Sequence, residues 1–135
     1  MKFPGHATKL RSSGLRPTQQ RLALAELLFG KGDRHICAEE LHAEAVSARV
    51  PVSLATVYNT LNQFTGAGLL REVAIEGTRS YFDTNTSNHF HYFLEETASL
   101  VDIGTETLEV RGLPDLPHGH EVDRIDIIVR LRKVN

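Results

Sequence analysis

The chain predicts an α+β protein, an N-terminal winged helix-turn-helix followed by a small α/β dimerisation domain. Three capped segments between Thr18 and Phe64 repeat apolar residues at helical spacing. Two strand-like runs around Glu76-Gly77 follow them directly. Further strand patterns begin only after Asp83-Thr84-Asn85-Thr86-Ser87-Asn88, a polar run with no apolar anchor. The expected boundaries are 1–82 for the winged-helix domain, 83–88 for a hinge and 89–135 for the second domain.

Thr18 caps a first helix that runs through Phe29 and stops at Gly30. A second helix is expected from about Cys37 to Ala48, with Ala38, Leu41, Ala45 and Val46 on one face. Glu40 completes a capping box with Cys37, and a thiol at a helix N-terminus can have a lowered pKa, although a merely tolerated cap is the plainer reading. The third helix lies within 51–64, capped by Ser53, with Leu54, Val57, Leu61 and Phe64 as its buried stripe. Thr56, Asn59, Thr60 and Gln63 face away, with Tyr58 at the border. A solvated helix would carry Lys and Glu there. These uncharged hydrogen-bonding groups match base edges and phosphates instead, as a recognition helix requires. Gly66-Ala67-Gly68 ends the helix. Leu69 to Ile75 and Thr78 to Phe82 then form a hairpin wing, whose Arg71 and Arg79 would lie along a phosphate backbone.

Charge distribution agrees. The chain carries a net charge of −2, from 15 basic and 17 acidic residues. Residues 1–80 hold ten Lys/Arg against seven Asp/Glu, and the remainder five against ten. Lys2, Lys9, Arg11, Arg16 and Arg21 precede any acid, forming a basic arm beside the helix-turn-helix. The length supports one moderate core or two small ones. No stretch is apolar enough to span a bilayer, and the N-terminus has no signal-peptide core, so a cytoplasmic protein without membrane contact is expected. One cysteine, Cys37, leaves neither a disulfide framework nor a multi-cysteine zinc site within a chain.

In the second domain, His91 to Leu94 and Ser99 to Ile103 read as two strands. Val122 to Val134 alternates Ile125, Ile127, Val129 and Leu131 with charged residues, a long half-buried strand. Gly112, Pro114 and Pro117 restrict any helix at 106–110 to a short one. So few elements cannot bury a full core, and pairing with a second copy is expected. His89 and His91 stand at i and i+2 on a strand and point to the same side, towards one metal ion or one haem. Asp83 ends the wing hairpin, and His35 precedes the second helix. Three imidazoles and a carboxylate suit zinc, ferrous iron or manganese. One such pair is weak evidence among seven histidines. His118-Gly119-His120 is a second pair, in what reads as a plain loop.

Gly14-Leu15-Arg16 with Thr18 and Arg21, His35-Ile36-Cys37-Ala38-Glu39-Glu40-Leu41, Leu54-Ala55-Thr56-Val57-Tyr58 and His89-Phe90-His91 together resemble the ferric uptake regulator family, in order and over nearly the whole chain. The resemblance implies double-stranded DNA as partner, a homodimer, and a sensory metal site formed by His35, Asp83, His89 and His91. It matches Arg16 to a basic residue that enters the minor groove, and Tyr58 and Asn59 to residues that touch bases, with Thr56 beside them on the DNA-binding face. Asn59 stands where the family often has arginine, and Asp83 where it more often has glutamate. The structural zinc site of two Cys-x-x-Cys pairs is absent, its first pair falling on Leu94 and Thr97. That loss, the histidines after Asn-Thr-Ser and the run from Arg124 to Arg132 resemble the iron response regulator branch. That branch implies haem held by His89 and His91, although Cys37-Ala38 lacks the Cys-Pro haem motif of some members. The expectation is a transcription regulator of iron or haem homeostasis acting on inverted-repeat operators. The alternative is a metal-only sensor repressor for iron, manganese or zinc. An enzyme is not expected, because no nucleophile, base and pocket accompany the histidines.

Overall fold

The computed structural model describes residues 4–75, 79–104 and 106–135. The chain divides into two compact units, Met1–Thr86 and Ser87–Asn135. The first unit opens with α1, Pro4–Ser12, where the sequence suggests only a basic arm. Proline suits a first helical position, because its fixed φ is already helical and its missing N–H has no partner to lose. Leu10 is buried and Lys9 Nζ lies 3.8 Å from the Phe29 ring centroid, so the arm is a docked helix.

Helix α2 spans Gln19–Phe29, with Thr18 Oγ1 accepting from Arg21 N at 3.2 Å. Gly30 ends it where a Cβ would come within 2.5 Å of the Glu26 carbonyl. Helix α3 is Ala38–Ser47 and α4 is Leu54–Gly66, capped by Ser53 Oγ accepting from Thr56 N at 3.1 Å. The buried stripe of α4 is Val57, Thr60, Leu61 and Phe64, at i, i+3, i+4 and i+7. Thr60 is therefore inside, and Leu54, in the first turn, is 36% exposed, the reverse of the expected assignment. Val46, expected on the inner face of α3, is 60% exposed. The core gathers Leu10, Leu24, Leu28, Ile36, Leu41, Leu61, Phe64 and Phe82. Each such side chain contributes about 1.5–3 kcal/mol on burial.

The wing sheet has three short strands: β1 (His35–Ile36), β2 (Arg71–Val73) and β3 (Tyr81–Asp83), in the order β1-β3-β2 and all antiparallel. The wing strands are shorter than the sequence suggests, and the Glu76-Gly77 turn lies outside the described residues. Strand β1 is an addition that only non-local pairing creates. Asp83 is the last residue of β3, in register with His35. Arg34 braces this corner. Its Nη1 donates to Leu27 O and Glu44 Oε1, both at 3.0 Å, and its backbone N donates to Thr84 Oγ1 at 2.9 Å.

The second unit is a three-stranded sheet of β4 (Phe90–Leu94), β5 (Ser99–Ile103) and β6 (Ile128–Leu131). Strand β4 is central, antiparallel to β5 and parallel to β6. No helix forms between β5 and β6 among the described residues, so the short helix expected at 106–110 is absent. Gly112 adopts a φ of 76° there, and Pro114 and Pro117 follow. The terminal strand is also shorter than Val122 to Val134. Its partner β4 offers five residues, and pairing stops where they do.

Candidate nucleic-acid interface and metal-binding residues

Exposed α4 carries the sequence-predicted DNA residues. Asn59 is exposed, Thr56 half-buried, and Tyr58 37% exposed. Arg16 is exposed in the turn between α1 and α2. Arg16, Arg21, Thr56, Asn59 and Gln63 line one polar hollow between the start of α2 and α4. Arg21 ties it together, donating through Nη1 to Arg16 O at 2.8 Å and through Nη2 to Gln63 Oε1 at 3.1 Å. The sequence places Gln63 on this face, but Arg21 as its anchor becomes visible only in the fold. Tyr58 stands apart from the hollow, its hydroxyl donating to Glu39 Oε2 at 2.9 Å. That bond raises the phenol pKa. The Glu39 carboxyl is held low, first by backbone N–H at the start of α3 and then by the Tyr58 hydroxyl.

The wing differs from expectation. Arg71 is buried, so it does not lie along a phosphate backbone, whereas Arg79 is exposed. Arg79 Nη1 lies 3.5 Å from Cys37 Sγ. Cys37 caps α3 with Glu40 Oε1 accepting from its backbone N at 3.1 Å. Its thiol is not an activated one: burial, more than any neighbour, pushes the pKa up.

Two groups of metal-ligating side chains are assembled, one in each unit. In the first, strand pairing sets His35 opposite Asp83, with His35 Nε2 3.5 Å from Asp83 Oδ2. Asp83 Oδ1 accepts from Asn85 N at 2.9 Å, which fixes the carboxylate and leaves Oδ2 towards the imidazole. In the second, His89 precedes β4 rather than standing in it, yet both imidazoles meet on one side, and the strand register of His91 adds its β5 partner Asp102. Asp102 Oδ1 lies 3.4 Å from His89 Nε2 and 3.4 Å from His91 Nε2. His89 Nδ1 sits 2.7 Å from Ser87 O. A carbonyl only accepts, so that contact requires a proton on Nδ1, and the ring would ligate a metal through Nε2. Asp102 escaped sequence reading because only the β4–β5 register brings it to the histidines.

These separations suit an ion. Two ligand atoms about 2.1 Å from a tetrahedral metal stand about 3.4 Å apart, longer than a strong hydrogen bond. The nitrogen and carboxylate donors fit a divalent metal of the zinc, manganese or ferrous type. They do not fit one haem between His89 and His91. The His89 and His91 ring centroids are 4.6 Å apart, which leaves no room for a macrocycle.

No helix among the described residues is long and apolar enough to cross a membrane. The sequence model of the ferric uptake regulator family matches residues 12–129. The ferric uptake regulation protein of Shigella flexneri is 32% identical over 105 residues, covering 77% of this chain and 71% of that protein. Its counterpart from Vibrio anguillarum is 34% identical over 103 residues, 76% and 69% of the two chains. Among solved structures, the ferric uptake regulator of Pseudomonas aeruginosa with manganese aligns at a TM-score of 0.76 and 26% identity, over 97% of this chain and 99% of the other. The Vibrio cholerae regulator shares the fold at a TM-score of 0.74 and 23% identity, over 94% and 98%. A match across most of the chain and relatives above 30% identity over three quarters of it agree: the chain belongs to the ferric uptake regulator family, a family of metal-responsive transcription regulators.

Proposed function

We propose that this protein is a homodimeric, metal-responsive DNA-binding regulator of the cytoplasm, with α4 as its recognition helix. His35, Asp83, His89 and His91 hold the sensed divalent ion, with Asp102 as a fifth donor. Support comes above all from the donor spacings of 3.4 and 3.5 Å within the two groups, the spacing an ion would impose. Metal shifts the protein towards the state that binds it better, and DNA affinity rises by the difference in metal affinity between the two states. On DNA, Tyr58 and Asn59 contact bases, while Thr56 and Arg16 position the helix on phosphates or in the minor groove.

Metal sensing is favoured over haem sensing. The relatives compared above are ferric uptake regulation proteins, which support the family and not the haem-sensing branch. The close pair of imidazoles at His89 and His91 points the same way.

The test is DNA binding of chelator-stripped protein to an inverted-repeat duplex as manganese, ferrous iron or zinc is added. Metal should raise affinity about 10- to 100-fold, the range of ordinary allosteric coupling. The double change His89→Ala with His91→Ala should abolish that response. Equal binding with and without every metal, or release of DNA by haemin in its place, would overturn the metal-sensing mechanism.

A further inference from the structure

We propose that Glu39 is a positioning residue of the DNA face, fixing the phenol of Tyr58 in the orientation that meets a base. This rests on α4 being the recognition helix. The two side chains come from different helices, α3 and α4, and their bond of 2.9 Å is made at the exposed surface. The adjacent glutamates divide two tasks. Glu40 turns back to the backbone N of Cys37 and caps α3, while Glu39 reaches across to α4. An unanchored tyrosine on an exposed helix samples several rotamers, and binding must then order it. The Glu39 bond selects one beforehand. Because the carboxyl is held low by backbone N–H groups and the phenol, it is charged at neutral pH and the bond is charge-assisted. A charge here also opposes phosphate, so it lowers affinity for every duplex alike.

The experiment uses full-length protein with manganese. The wild type first enriches a duplex from a random pool, and that duplex and a scrambled one of equal length are titrated by fluorescence anisotropy. Tyr58→Phe and Glu39→Ala should each lower the enriched-to-scrambled affinity ratio by about tenfold, the scale of one good base contact. The double variant should lose no more than either single change, because both break one interaction. Glu39→Gln keeps an amide oxygen for the phenol. It should hold the ratio near the wild-type value while tightening both duplexes together. A wild-type ratio in Glu39→Ala, or a double variant that loses the product of the single losses, would overturn the positioning role. A wild type that enriches no sequence overturns the DNA reading itself, and this inference with it.

Discussion

In the first unit a single apolar cluster joins α1 to β3, and Leu24, Leu28, Leu41, Val57, Leu61 and Phe64 are wholly shielded from water. In the second, Phe93 and Ile103 are the buried apolar side chains among the described residues, while Tyr92, Val101 and Leu131 each remain more than a third exposed. Strand burial shows the same contrast. Strand β3 is buried at all three positions, whereas β6 has none buried. A domain that completes its own core can fold from its own sequence. A sheet with so little buried area needs another surface, and the proposed homodimer would supply it from a second copy of the chain.

The largest effect should follow removal of residues 122–135. This deletes β6, which pairs with β4 along His91↔Ile128 to Leu94↔Leu131. Sedimentation should find monomer or aggregate, and affinity for an inverted-repeat duplex should fall at least about 100-fold, since two half-sites no longer act together. A truncated protein that remains a DNA-binding dimer breaks the comparison.

Core truncation comes next. Leu61→Ala should cost about 2–5 kcal/mol in urea denaturation of the first unit. Val101→Ala, at a position 45% exposed, should stay within about 0.5 kcal/mol in dilute protein but weaken self-association. Similar losses at both sites would mean that the two units share one stability.

The smallest effect sharpens the picture within the first unit. The Arg34 guanidinium beside Glu44 holds that carboxyl below its ordinary 4.5. A depressed folded pKa stabilises above the unfolded value, and that stability is lost as pH falls through the folded one. Glu44→Gln should therefore be less stable at neutral pH by under about 1 kcal/mol, with the gap closing on acidification. A gap that persists unchanged in acid would assign the loss to packing instead.

Local chemistry made much of this legible. Thr18, Ser53 and Gly30 mark helix ends because caps are written in single residues. The shared side of His89 and His91 is suggested by strand period, although β4 itself begins at Phe90. What escaped reading depends on distant partners. Strand β1 exists only because His35 and Ile36 pair with β3, and Asp102 joins the histidines only through strand register. Leu54 and Thr60 exchanged places because apolar identity suggests which face is buried, while packing decides the phase. Arg71 looked like a wing cation, yet β2 buries it.

The register that sets His35 against Asp83 also has a kinetic meaning. Two helices and the wing strand β2 lie between the two residues in the chain. Their pairing closes a long loop, which is slow and entropically costly compared with forming a helix turn. An unfolded or half-folded chain therefore has the histidine and the aspartate but no site, and a metal that needs both binds only after the loop has closed. In the proposed metal site, newly made protein gains the His35–Asp83 pair only once this pairing has formed, and a metal bound there would hold it closed.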